Sequence, residues 1–414
     1  MKTLATEKEA VTMNDISSAA TKHLEHLSVK IGPRPLGSKR NQAAAEYIRG
    51  VFKANGLETE LQEFPCLLWE DNSTRLELDG TRYVAAANVF SPPCDVATRG
   101  VAVGTLAELK AADLAGRIGI LYGDLTTGTG YSTQSAFYFP ERDEQILNLL
   151  REKKPAALIT IHSHTGSLQR LISDWKFPIP SATVPAEVGL MLLRHIDQPL
   201  HLRIESEGLP SQFCNVVGIK AGTRREWIVL SAHFDTTADA PGAIDNGSGV
   251  AAMLALAEAL TKEQLPLGLE FVALNGEENG SVGTVEYLRR RESELAQVVA
   301  AINIDGVGQT LGANSIATFP SSQSFRDQVS AICRKYPGVI QVNPWYESDH
   351  TAFLTRGVPS IAVSSTGVAN VMHLPIDTVE WISAAKLGEV VSLVTEIVEG
   401  LQDKSLEWGR EKPA

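Results

Sequence analysis

Long apolar runs are missing from this chain. No window approaches the ~18 uninterrupted apolar residues of a membrane span, so none is expected. The first residues, Met1 to Ser18, carry Lys2, Glu7, Lys8, Glu9 and Asp15 and no apolar stretch, so no secretory signal is read there. Cysteine is scarce. Cys66, Cys94, Cys214 and Cys333 are widely scattered, with no C-x-x-C, which argues for reduced thiols rather than a disulfide frame. A cytoplasmic location is the expectation. Positive charge is also short: 37 Lys and Arg stand against 49 Asp and Glu, a net charge of −12. That excludes a general nucleic-acid or anionic-membrane binder, which needs clustered Lys and Arg. The one dense basic run, Arg289 to Arg291, is followed by Glu292 and Glu294 and reads as a solvated helix face. There are no internal repeats and no low-complexity segments.

What is present is ordinary material for a large core: 43% hydrophobic residues in 414, enough for two or three domains. Ser17 to Phe52 reads as two helices broken by the Gly-Pro-Arg-Pro-Leu-Gly-Ser loop at Gly32 to Ser38, whose prolines cannot lie inside a helix. Leu57 to Phe64 alternates like a strand. From Pro65 to Leu209 short β-like runs (100–103, 116–122, 156–161, 182–184) are separated by turn-rich stretches such as Thr126 to Gly130. From Phe213 onward strands and helices alternate. Strands are expected at 227–232, 269–274, 299–304 and 360–363, and helices at 247–260, 282–295, 324–336 and 384–401. The expected fold is α/β: a mixed, mainly parallel sheet flanked by helices, with an inserted smaller β-rich domain. The division is 1–64 and 210–414 for the main domain and 65–209 for the insert.

Chemistry-bearing residues fall at the expected carboxyl ends of successive strands, where ligands collect in such sheets. His233 and Asp235 follow one, Glu277 and Glu278 the next, Asp305 the third. Residues two apart on a strand point the same way, so His233 suits a metal ligand with Asp235 orienting its ring. Asp245 follows a turn and precedes Asn246-Gly247-Ser248-Gly249, small residues that let backbone approach an ion; it is the candidate to bridge two cations. Glu277 and Glu278 are neighbours and cannot share one direction. One binds metal and the other moves protons. Asp305 is placed to ligate, and His373, before Leu374-Pro375, can deliver an imidazole from a loop. Two imidazoles and carboxylates suit zinc, with cobalt or manganese also compatible. Trp345 and Tyr346 could line a substrate pocket or simply pack. His162 and His164 have no acid or thiol partner at ligand spacing and read as structural or substrate-rim, and His23 and His26 read as surface.

The series Ser231-Ala232-His233-Phe234-Asp235, Gly242 to Gly249, Asn275-Gly276-Glu277-Glu278, Asn303-Ile304-Asp305 and Met372 to Thr378 resembles the M28 family of co-catalytic zinc peptidases, as does Ser348 to Phe353. The resemblance covers about residues 213–401 and 21–64. It implies a zinc exopeptidase-like fold. It also implies two zinc ions, with His233 and Asp305 on one, Glu278 and His373 on the other, and Asp245 on both. Asp235 would orient His233 and Glu277 would be the general base. Asp349 and His350 would lie near the substrate, beside the pocket candidate Tyr346, and 65–209 would be a protease-associated-like insert. The implied activity is removal of N-terminal residues from peptides with a free N-terminus. Related alternatives are a one-zinc glutaminyl cyclase, a non-catalytic binding protein, or carboxypeptidase or amidase specificity. Neither a nucleic-acid nor a membrane partner is expected, and a homo-oligomer is compatible with the sequence.

Overall fold

Three strands form the middle of the main sheet: Gly268–Leu274, Trp227–His233 and Val298–Ile304, side by side and parallel. Nearly every residue in them is buried, because helices cover both faces, and so they read as continuous apolar runs rather than alternating ones. The computed structural model describes residues 13–127, 141–164 and 168–410. Ser360–Ser365 continues the sheet in parallel beyond Val298–Ile304. Asn314–Thr318 then joins antiparallel, and Val339–Gln341 closes that edge.

The Ala-rich helix Gly249–Leu260 is almost wholly buried, since small side chains let neighbours approach on all sides. Met13–Glu25 and Ala384–Leu401 pack against it. Lys39–Ala54 begins at Ser38, whose hydroxyl accepts the Asn41 N–H and caps the helix.

The other edge is a two-stranded ribbon. Glu58–Leu78 pairs antiparallel with Pro199–Lys220 along nearly its whole length. Its inner part, Val216 to Lys220, joins the main sheet through Gly268–Leu274. Its outer part, Pro199 to Ile204, joins Cys94–Val103 and so enters the inserted region. Positions 65 and 210 lie within this ribbon, two rungs apart. The inserted region carries its own parallel strands, Cys94–Val103, Ile118–Leu121, Ala157–Ile161 and Ser181–Val184. It also carries helices at Leu106–Ala111, Glu141–Lys153 and Ala186–Arg194 that the sequence reading left out. Most of Met1 to Ser18, and Gly128 to Gly130 of the expected turn, lie outside the described residues.

Two surface expectations are corrected. Arg291 is not a solvated side chain. Its guanidinium bonds buried Glu270 at 2.9 Å and Glu60 at 2.6 Å, neutralising a carboxylate set in a central strand. His23 is buried as well, between Tyr47 Oη at 2.7 Å and Glu258 Oε1 at 3.1 Å. Among the described residues no helix is long and apolar enough to cross a membrane. All four cysteines are free.

Candidate metal centre

Each carboxyl end of the central strands delivers part of one acidic cluster. His233 ends its strand, and its Nε2 lies 3.2 Å from Asp245 Oδ1 and 3.5 Å from Asp305 Oδ1. His373 arrives from a loop with φ +63°, a left-handed conformation costing about 1–3 kcal/mol in a non-glycine residue. Its Nε2 lies 3.0 Å from Asp245 Oδ2 and 3.1 Å from Glu278 Oε2. Two groups of ligand atoms result: His233, Asp245 and Asp305, and Asp245, Glu278 and His373, each with its atoms within 4.8 Å of one another. Asp245 belongs to both and turns one oxygen to each imidazole.

The surroundings hold these groups in place. Asp235 accepts the N–H groups of Glu277 and Glu278, both at 3.2 Å, while its Oδ1 faces His233 Nδ1 at 3.6 Å. Asp377 accepts the N–H of Ile244 at 2.7 Å and of Asp245 at 3.0 Å. The Asp245–Asn246 peptide is cis, and the Asn246 side chain donates to Ile304 O and accepts from Gly249 N–H, both at 2.9 Å. Gly242, with φ +61°, enters this turn where a Cβ would lie 2.2 Å from Thr236 Cγ2, so only glycine fits without strain. On the third strand Ser231 Oγ donates to Asn303 Oδ1, Asn303 Nδ2 to Ser348 Oγ, and Ser348 Oγ to Asp305 Oδ2 at 2.7 Å.

Arg34 lies beneath the cluster, fully buried. It donates to the carbonyls of Phe234, Leu27, Gly32, Pro241 and Gly242. Burial lowers its pKa to about 10, so it remains a cation at neutral pH, held there against that penalty by Asp377, Asp235, Asp245 and Glu278.

The electrostatics match a site built for cations. Burial alone would raise Asp245, but His233 and His373 hold it well below the usual carboxylate range. Burial raises Glu278, with only part of the rise offset by His373. Burial likewise pushes Glu277 far up, and Asp349, Glu278 and Asp305 add to the rise while His233 opposes it. Both imidazoles would be lowered by burial, yet the carboxylates around them raise each well above the ordinary value. Glu278 Oε1 is buried without a hydrogen-bond partner. An orphaned oxygen beside a mixed imidazole–carboxylate set fits first-row divalent ions.

Glu277 belongs to neither ligand group and faces a cavity of about 1660 Å³. The cavity is walled by the main domain and by the insert, including Trp69, Phe90 and Arg170. Trp345 and Tyr346 line it too. Asp349 and His350, expected near the substrate, do not. Both are fully buried behind that wall. Asp349 accepts from Thr284 Oγ1, and burial raises it to about 7; His350 Nε2 bonds Trp345 O at 2.7 Å. Their packing supports the wall. His162 and His164 contact each other at 3.3 Å, outside the two ligand groups. Sequence reasoning missed Asp377, Arg34 and Ser348. Asp377 and Ser348 stood inside quoted motifs, and Arg34 between two prolines was the available signal for a fixed loop.

Residues 215–398 match the family model described as Peptidase family M28. The chain thus carries a metal-dependent peptidase segment of the M28 family, which holds both ligand groups. It is 24% identical over 409 residues to Aminopeptidase YwaD of Bacillus subtilis, covering 91% of this chain and 82% of that one. Its fold is that of a zinc aminopeptidase from Bacillus subtilis, with TM-score 0.77, 22% identity and coverage of 95% and 98%. A peptidase M28 precursor from Shewanella amazonensis superposes with TM-score 0.79 at 18% identity, covering 97% and 98%. Both structural likenesses span the insert as well as the M28 domain.

Proposed function

We propose that this M28 peptidase is a two-zinc aminopeptidase. The observation that carries the reading is Asp245, whose two oxygens serve two different imidazoles and so join two ligand groups into one centre. His233 and Asp305 would hold one ion, Glu278 and His373 the other, and Asp245 both. Bound there, the ions supply Lewis acidity that acidifies water and polarises the peptide carbonyl. Glu277 takes the proton of the attacking water and passes it to the leaving amine. Asp235 fixes His233 and, through two N–H bonds, the position of both glutamates. Trp345 and Tyr346 form an apolar wall for the side chain of the first residue. The names of YwaD and of the Bacillus zinc aminopeptidase support removal of N-terminal residues. The insert, in its position and its parallel strands, is read as protease-associated-like. Four unpaired thiols support a reducing, cytoplasmic setting.

The test is a screen of aminoacyl and dipeptide substrates on metal-stripped protein reloaded with zinc, cobalt or manganese. Release of free N-terminal amino acids, abolished by N-acetylation of the substrate, is expected with two ions per chain. A single ion per chain with pyroglutamyl products would replace the aminopeptidase reading with a cyclase one.

A further inference from the structure

His373 has two ring nitrogens to satisfy. Its Nε2 faces the carboxylates of Asp245 and Glu278. Its Nδ1 is met by the side-chain amide of Gln169, 3.1 Å away and 204 residues distant in sequence. Gln169 belongs to the insert, yet it reaches the ligand group of the main domain. The stretch that presents it is fastened on both sides of the boundary. Arg170 bonds Asp239 of the main domain at 2.8 Å, Asp71 at 3.2 Å and the Ala87 carbonyl. Its guanidinium lies 5.7 Å from the Trp69 ring centre. Leu171 N–H donates to Asn88 Oδ1 at 3.0 Å, and Ser173 accepts from Asn279 at 2.9 Å.

An imidazole that gives Nε2 to a cation carries its proton on Nδ1 and needs an acceptor there. The group facing that nitrogen in His233 is the Asp235 carboxylate, two residues away on its own chain segment and 3.6 Å off, just beyond hydrogen-bond distance. His373 has a neutral amide supplied by another part of the fold. A half-turn of that amide exchanges nitrogen for oxygen at nearly the same position. The left-handed backbone of His373 makes an outside restraint on the ring more valuable, because the residue is not in a relaxed conformation.

We propose that Gln169 is a positioning residue for His373, so that the metal position formed by Asp245, Glu278 and His373 is completed by the insert. The inference rests on the two-ion reading above. The test uses the full chain, its Gln169→Met and Gln169→Glu variants, stripped by chelator and titrated with zinc by calorimetry alongside metal analysis. Wild type is expected to bind two ions. Gln169→Met should bind one of them unchanged and the other roughly 10–100-fold more weakly. Gln169→Glu, which keeps an acceptor for Nδ1–H, should retain both. Equal melting of the metal-free proteins marks the loss as one of coordination; should Gln169→Met melt early, Gln169→Asn, one methylene short, replaces it. Two ions at wild-type affinity in Gln169→Met would overturn the proposal. So would equal weakening in both the Met and Glu variants, which would show packing at work rather than an acceptor. A wild-type chain that binds fewer than two ions would instead remove the two-ion reading itself.

Discussion

Glu277 and Glu278 are adjacent in sequence and differ in where their carboxylates point. Asp235 ties both backbone N–H groups, which turns the side chains apart: Glu278 toward His373, Glu277 toward the cavity. A buried carboxyl surrounded by other acids accepts a proton readily, and Glu277 has that setting while standing outside both candidate ligand groups. Glu277→Gln should keep wild-type metal content and lose about 10²–10⁴ in turnover, the usual weight of a general base. Equal activity, measured at equal zinc content, would exclude that role. Asp245 makes a different prediction because it is shared. Asp245→Ala should lower occupancy of both ions, whereas His373→Ala should lower one. Elemental analysis of the two purified variants reads the difference directly, and equal stoichiometry in both would deny the bridge.

Among the elements, the helix Met13–Glu25 is pinned to its neighbours by a polar group rather than by apolar packing alone. His23 joins it to Tyr47 of Lys39–Ala54 and to Glu258 of Gly249–Leu260, with His26 stacked on Tyr47 at 3.7 Å and Lys22 also near. Burial lowers the His23 pKa, and Glu258 only partly restores it. The unfolded chain therefore binds this proton more tightly than the folded one, so His23 contributes stability that is full above about pH 6.5 and fades as pH falls through the folded value. Denaturant unfolding of His23→Gln between pH 7.5 and 5 should show a shallower loss than wild type, by up to ~1.4 kcal/mol per pH unit; parallel curves would refute it. Nothing in the local pattern of His23 and His26 announced this burial, since a histidine pair one turn apart is also what a solvated face shows. The parts of the fold that were legible are those with strong periodicity or unbroken apolar character: the three central strands, Gly249–Leu260, Ala384–Leu401. The ribbon was shortened to Leu57–Phe64 because Pro65 breaks the pattern at a place where the partner strand, not the local sequence, sustains pairing. Asn314–Thr318 was missed because its polar residues are satisfied by tertiary contacts; Asn314 bonds Gly308 N–H and Lys386 O. The ligand candidates were legible because they end strands. Their supports, Arg34 and Gln169, come from loops and reach across the fold to Phe234 and His373, each 200 or more residues away.

For the whole molecule, the decisive fact is that the cluster concentrates negative charge inside a fold whose net charge is already −12. Asp235, Asp245, Glu277, Glu278 and Asp305 meet at the ends of three strands that form the centre of the sheet, with Arg34 as the buried permanent cation beneath them. Divalent ions that bind only the folded chain stabilise it in proportion to the logarithm of their concentration. They also relieve the repulsion that burial makes expensive. Chelation should therefore lower the melting temperature, and reloading with zinc should restore it. At free zinc 100-fold above the dissociation constant, each site contributes roughly 2.7 kcal/mol, or about 3–5 °C for a protein of this size. The melting temperature should then climb steadily with free zinc instead of reaching a plateau at one ion per chain. Asp245→Ala, which removes the shared ligand and one of the repelling charges, should melt nearer to wild type without metal and respond little when zinc is added. Differential scanning calorimetry across a buffered zinc series checks both slopes. A wild-type melting temperature indifferent to chelation would mean that the cluster is held by the fold alone, with no cation taking part in its stability.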